Sequence, residues 1–151
     1  MDAHAAATRY IGPTGLDPYM NRFFNMLPKL GISIAGSRLL AVRGRKSGEW
    51  RTTLVNVLKT DDGARYLVAP RGHTQWVRNL RVSKTGELRL GRKSETFTAT
   101  ELPDADKIPV LRAYLDRWGW EVGRFFEGVT KNATDAELAE IAPGFPVFAL
   151  A

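Results

Sequence analysis

The chain has 151 residues, 44% hydrophobic and 25% charged, with no cysteine and a formal net charge of +6. These values suit one globular domain with a real core, and they exclude a disordered tail, a disulfide scaffold and a thiolate metal site. The charge is uneven: residues 38–93 hold 14 Lys and Arg against 4 Asp and Glu, whereas residues 94–151 hold 5 against 10. A positive field on the middle of the chain would draw in a polyanionic ligand. The first residues carry no apolar signal-peptide region, and no apolar run approaches bilayer-spanning length. Together with the lack of cysteine, this leads to the expectation of a cytoplasmic protein.

In chain order, residues 17–30 predict a helix, with Asp17 as N-cap, Pro18 at the first position and Phe23, Phe24, Met26, Leu27 and Leu30 as its apolar stripe. Residues 1–37 are read as an N-terminal helical segment and residues 38–151 as a single domain. Arg38–Arg43 predicts a first strand. Arg51–Lys59 predicts a second, with Leu54 and Leu58 on one face and Val55 and Val57 opposite, close to continuous burial. Asp61-Asp62-Gly63 turns the chain into a third strand, Tyr66–Ala69. Thr74 is placed to cap a short helix through Val82. Glu87–Leu90 and Thr96–Leu102 form a hairpin pair around Gly91-Arg92-Lys93-Ser94.

Pro103–Trp118 carries a helical pattern, with Ile108, Leu111, Leu115 and Trp118 on one face and Pro109 near its start. Thr134–Ile141 is a second short helix, opened by Thr134 with Glu137 at capping-box spacing. Pro143-Gly144 ends it, and Pro146–Ala149 reads as a last strand. Hairpins interrupted by helices predict a mainly β, α+β architecture: a small β-barrel decorated by helices, not a doubly wound sheet.

The chemistry centres on Gly44-Arg45-Lys46-Ser47-Gly48-Glu49-Trp50-Arg51. This glycine-bounded connection gathers three cations and a hydroxyl, a donor set suited to phosphate or carboxylate. It is not a Walker A loop, because the spaced upstream glycine and the following helix are missing, and no G-x-G-x-x-G follows a strand. His4 and His73 are the only histidines and lie far apart, so no metal site is expected, and no nucleophile elbow precedes a serine. Side chains alone are short of catalytic equipment, and an enzyme of this sequence would borrow its chemistry from a cofactor.

Three ordered motifs, Gly44-Arg45-Lys46-Ser47-Gly48-x-x-Arg51, Tyr66-Leu67-Val68-Ala69-Pro70-Arg71-Gly72 and Gln75-Trp76-Val77-Arg78-Asn79-Leu80, resemble the deazaflavin-dependent nitroreductase family, as does the terminal Pro146-Val147-Phe148. The resemblance runs from about Leu39 to the C-terminus. It implies a split β-barrel like that of FMN-binding proteins, and binding of coenzyme F420, whose phosphate and polyglutamate tail account for the charge map. By the same resemblance, Arg45, Lys46 and Arg51 grip the anionic parts, with Ser47 and the backbone around Gly48 completing the cradle. Asn56, Ala69, Pro70 and Arg71 lie along the deazaflavin groove, and Gln75, Trp76 and Val77 line it from the helix start. Asn79 is read as a loop- or helix-capping residue and Leu80 as core.

The implied activity is hydride transfer from reduced F420 to a small electron-poor acceptor: an activated alkene such as an enone, a quinone or a nitroaromatic. Tyr114 is the candidate proton donor or substrate contact, and Trp118, Trp120, Phe125 and Phe126 are a candidate apolar roof over a planar substrate. The sequence departs from the family pattern at Leu54, Asn56 and Val77 and in a short loop before Trp76, departures that bear on substrate identity more than on cofactor binding. Its C-terminal aromatics do not match the tyrosine-rich substrate site of the nitroreductase branch, so activation of nitro drugs is not implied. Rival readings are a split barrel using FMN and a non-catalytic barrel holding a hydrophobic ligand. Nucleic acid is not expected as a partner, because the aromatics lie mainly outside the most basic stretch. Phe23, Phe24 and Met26 offer a peripheral membrane contact through the N-terminal segment, with packing on the barrel as the other use of that face.

Overall fold

The computed structural model describes residues 8–11, 36–126 and 128–151. The helix expected over residues 17–30, and the membrane contact assigned to it, lie outside them. Six strands are present: β1 (Ser37–Arg43), β2 (Trp50–Lys59), β3 (Arg65–Val68), β4 (Thr85–Leu90), β5 (Lys93–Glu101) and β6 (Val147–Leu150). They close into a barrel in the order β1-β2-β3-β6-β5-β4, and every neighbouring pair is antiparallel. Among the described residues the helices are α1 (Gln75–Ser83), α2 (Ile108–Val122) and α3 (Asp135–Ile141). This is the split-barrel α+β architecture expected from the sequence. None of these helices is long and apolar enough to cross a membrane.

The alternation along the strands builds two cores. Leu40 and Val42 of β1, Val55 of β2, Leu67, Leu88, Phe97 and Phe148 point inward, and Val77 and Leu80 of α1 join their cluster. On the outside of β2, β3 and β6, Leu58, Val68 and Val147 meet the apolar faces of α2 and α3. Each large side chain removed from water in this way contributes about 1.5–3 kcal/mol. Buried Lys107 ties the second core together, donating Nζ to the carbonyl of Ala142 at 2.9 Å and pairing with Asp104 at 2.8 Å.

Several boundaries differ from expectation for local reasons. The β4–β5 turn contracts to Gly91-Arg92, because Lys93 and Ser94 pair with Leu90 and Arg89 as the first residues of β5. The helix expected from Pro103 starts instead at Ile108, after a single 3-10 turn over Asp104–Asp106, and runs on to Val122. Proline fits only the first turn of a helix, and Pro109 fixes that start. Thr134 and Glu137 form the complete reciprocal capping box at the start of α3. Thr74 stands at the N-cap of α1 but makes no capping bond.

Candidate functional site

The basic run becomes the hairpin turn between β1 and β2, where Arg43 pairs with Trp50. Inside it, Gly44 N–H donates to the Glu49 carbonyl at 2.8 Å and Gly48 N–H to the Gly44 carbonyl at 2.9 Å. Gly48 has φ +71°, and a Cβ on Gly44 would fall 2.8 Å from Ser47 Oγ. The turn is therefore tight where the sequence places its glycines. Ser47 Oγ accepts from Glu49 N–H at 3.2 Å.

Two arginines brace this turn from opposite sides. Arg43 Nη1 donates to the Gly48 carbonyl at 3.1 Å while its guanidinium lies 4.1 Å from the centre of the Trp50 ring. Arg45 donates its backbone N–H and Nη1 to Asn79 Oδ1, and Nη1 also to Gln75 Oε1. The turn is thereby fastened to the first turns of α1. Lys46 is exposed and forms no ion pair among the described residues. Arg51 is 63% exposed, with Glu49 Oε2 3.6 Å away, a separation at which solvent screens most of the attraction.

The segment before α1 is held by a short strap. Ile11 N–H donates to the Arg71 carbonyl at 2.8 Å, His73 N–H donates to the Arg9 carbonyl at 2.8 Å, and Tyr10 bridges Gly72. Buried Arg9 itself donates to the carbonyls of Phe125 and Gly144, and stacks on the Phe145 ring. Within this segment Ala69 N–H donates to the Pro146 carbonyl, Pro70 and Arg71 are half-buried, and the Arg71 guanidinium lies 5.3 Å from the Phe125 ring centre. Thr74 Oγ1, beside the start of α1, is the buried side-chain oxygen with no hydrogen-bond partner among the described residues. Such an atom is costly unless a ligand or water satisfies it.

The structure thus brings Arg45, Lys46, Ser47 and Gly48 together in one turn, Arg51 just beyond it on β2, and Gln75 against Arg45. Trp76 is half-buried, its ring centre 6.0 Å from that of Phe148. Ala69 and Val77 are fully buried in the barrel core and present no surface. Asn56 is half-buried five residues along β2 from Arg51, a span of about 17 Å.

Tyr114 is not brought to this site. It is 2% exposed, packed against Trp118 and Phe126 in the core under α2. The expected aromatic roof dissolves likewise: Trp118, Phe125 and Phe126 are core, and Trp120 points to solvent at 74% exposure. Sequence reasoning missed the unpartnered Thr74 hydroxyl and the Arg9 strap. The latter left one faint signal, an arginine beside the aromatic Tyr10.

Away from the turn, arginines hold several carboxylates. The hydrogen bond from Arg89 holds the Glu87 carboxyl below its ordinary range, helped by Ser94, and Arg65 does the same for Glu95. A surface hollow of about 650 Å³ over α2 is lined by Ile108, Arg112, Asp116, Lys131 and Asp135 among others. Its charges pair with one another, Arg112 with Asp135 and Lys131 with Asp116, and it shares no residue with the basic turn or α1. Among the described residues no group of three His, Asp or Glu could hold a metal ion.

Comparison with known proteins takes in this segment. The family model described as F420H(2)-dependent quinone reductase matches residues 20–119, which include the basic turn, the Ala69–Thr74 segment and α1. No curated protein matches the chain. Among solved structures, a protein of unknown function from Agrobacterium tumefaciens str. C58 is 17% identical with a TM-score of 0.55, over 93% of this chain and 56% of that one. The chain thus spans little more than half the length of that relative. An F420-H2 dependent reductase (FDR-A) is 18% identical with a TM-score of 0.53, over 77% of this chain and 94% of that one. A structure described as a domain-swapped dimer is 16% identical with a TM-score of 0.56, over 91% of this chain and 100% of that one. At such identities the likeness is one of fold. The family model covers more than half of the sequence and takes in the basic turn and the helix it is fastened to, and the chain belongs to the F420H(2)-dependent quinone reductase family.

Proposed function

We propose that the protein is an F420H2-dependent oxidoreductase that reduces a small electron-poor acceptor by two electrons, the acceptor being a quinone, an activated alkene such as an enone, or a nitroaromatic. The observation that carries this reading is the basic turn, fastened to α1 by Arg45 and carrying Lys46, Ser47 and Arg51, with Glu49 near Arg51.

The residues present fit an anionic, extended cofactor. Lys46 and Arg51 would meet its negative groups, as a point charge and a planar fork respectively. The Ser47 hydroxyl and the backbone N–H groups of Lys46 and Ser47, which the turn's own hydrogen bonds do not use, add neutral donors, and the unpartnered Thr74 hydroxyl supplies one more polar atom near the start of α1. Pro70, Arg71, Gln75, Trp76 and Asn56 would border the rest of the groove, while Ala69 and Val77 act from beneath as packing. When bound, reduced F420 supplies the two electrons as a hydride.

The chain's own part in the reaction is to bind charge, orient two planar molecules and keep water away from the contact between them. Trp76, leaning on Phe148, offers an apolar wall for that purpose. The burial of Tyr114 supports a packing role and leaves proton delivery to solvent.

The test is a fluorescence titration with F420 and, in parallel, FMN at two salt concentrations, followed by an acceptor screen with a quinone, an enone and a nitroaromatic. Saturable, salt-weakened binding of F420 with FMN much weaker is the expected result. Preference for FMN would keep the barrel and replace the cofactor. Binding of neither would overturn the reading.

A further inference from the structure

One side chain fastens the basic turn to α1. Arg45 donates its backbone N–H to Asn79 Oδ1 at 3.1 Å, and its Nη1 donates to Asn79 Oδ1 and to Gln75 Oε1 at 2.9 Å each. Gln75 and Asn79 stand four residues apart on α1, hence on one face, and so both reach the same nitrogen. Asn79 is only 4% exposed, so its oxygen is desolvated and depends on Arg45 for partners.

α1 is itself fixed, because Val77 and Leu80 are fully buried in the barrel core. A continuous path therefore runs from the barrel interior through α1 and Asn79 to Arg45, and from there to its chain neighbours Lys46 and Ser47. Within the turn the two internal backbone bonds, Gly44 to Glu49 and Gly48 to Gly44, close the loop on itself but do not fix where it sits.

We infer that Asn79 is a positioning residue for the cofactor, acting through Arg45 to hold the basic turn in its anion-binding place, and that Arg45 serves as a latch as well as a charge. The inference rests on the reading of this turn as the cofactor site. Lysine at position 45 would keep the charge, but its Nζ ends one bond short of the Arg45 Nη1 position and lacks the planar, pre-organised guanidinium that aims both bonds. A residue that merely contributed charge would tolerate that exchange; a latch does not.

The test uses the full chain with Asn79→Leu, Arg45→Lys, their double variant and the conservative Asn79→Asp, which keeps the acceptor oxygen. The first readout needs no cofactor: amide exchange at Arg45 N–H, which loses its acceptor in Asn79→Leu, should accelerate at least about tenfold while the thermal midpoint shows the barrel still folded. Asn79→Asp should restore the protection.

The second readout is F420 affinity. Asn79→Leu and Arg45→Lys should each lower it by about tenfold, and the double variant should lose clearly less than the two losses combined, because both break the Nη1–Oδ1 contact. Should Asn79→Leu not fold, Asn79→Ala, which removes the same acceptor oxygen with a smaller side chain, and Arg45→Lys carry the same comparison. Unchanged Arg45 exchange in Asn79→Leu, or losses of affinity that simply add, would overturn the latch. A wild-type protein that fails to bind F420 would overturn the cofactor reading, and the exchange rates alone would then decide whether the latch exists.

Discussion

Gly72 and Arg9 meet backbone to backbone: a Cβ on Gly72 would lie 2.2 Å from the Arg9 carbonyl oxygen, and Gly72 has φ +89°. Close approach and left-handed backbone both demand glycine at this position. Gly72→Ala must therefore part the strap from the segment leading into α1. The expected cost is about 2 kcal/mol or more, since backbone strain and overpacking add. That corresponds to a fall in Tm of about 4–8 °C for a chain of this size. Differential scanning calorimetry checks it, and an unchanged Tm would show that the strap is not held where the structure has it.

Lys46 forms no ion pair among the described residues, and Arg51 lies 3.6 Å from Glu49, too far for a tight pair. A charge-assisted contact with a ligand is worth about 1.5–3 kcal/mol, so Lys46→Ala and Arg51→Ala should each weaken F420 about ten- to a hundredfold. Neither substitution should move the Tm of the free protein appreciably, because neither side chain is buried. The loss should shrink at high salt, where exposed charges are screened. Equal affinity in both variants would move the anion site elsewhere.

Thr74 and Thr134 occupy the same position, the N-cap of a helix, and should respond oppositely to the same change. Thr134 Oγ1 accepts from Glu137 N–H, and Glu137 returns the bond to Thr134 N–H. Thr134→Val should cost about 1 kcal/mol. Thr74 makes no capping bond and its hydroxyl is buried without a partner, so Thr74→Val removes a desolvation cost and should stabilise the free protein by about 1 kcal/mol. If that hydroxyl serves the cofactor, as proposed, F420 affinity should still fall about fivefold. Thermal melts with and without F420 separate the two effects.

These two threonines also mark where sequence was enough. Thr134 is followed at the third position by Glu137, a reciprocal pair that can be read locally; Thr74 has Val77 there, and the helix begins without its help. The alternation of Val55 against Leu58 named the two faces of β2 correctly, because one side is barrel interior and the other lies under α2. Helix phase was an underused signal. Tyr114 and Trp118 share the buried face with Leu111, while Trp120 lies about 200° round the helix from Trp118 and faces water.

Other features depend on contacts between distant segments. β4 begins earlier than its hydrophobic pattern suggests because Gly86 sits beneath Phe97, where a Cβ would come within 2.8 Å of the ring and 2.9 Å of the Ala41 carbonyl. The pairing of Arg45 with Asn79 joins residues 34 positions apart. Their spacing in the sequence carries no trace of it.

The acid side of the stability profile should be set partly by Arg65 and Glu95, which join β3 to β5, the strands flanking β6. Arg65 holds both carboxylate oxygens, at 2.7 and 2.9 Å, and these hydrogen bonds keep the Glu95 carboxyl below its ordinary value of 4.5. A carboxyl with a lowered folded pKa binds its proton less readily in the folded chain than in the unfolded one. Its contribution is therefore complete above the ordinary value and is lost as the pH falls through the lowered one. Glu95→Gln should flatten the decline in Tm below about pH 4.5 and cost little at neutral pH. Glu95 is more than half exposed, so solvent screening keeps the difference under about 1 kcal/mol. Glu87, held low by Arg89, should behave in the same sense, so the double variant Glu87→Gln/Glu95→Gln should flatten the acid limb further. Thermal melts from pH 7 to pH 3 give the comparison, and an acid limb identical to wild type in both variants would place the acid sensitivity in other carboxylates.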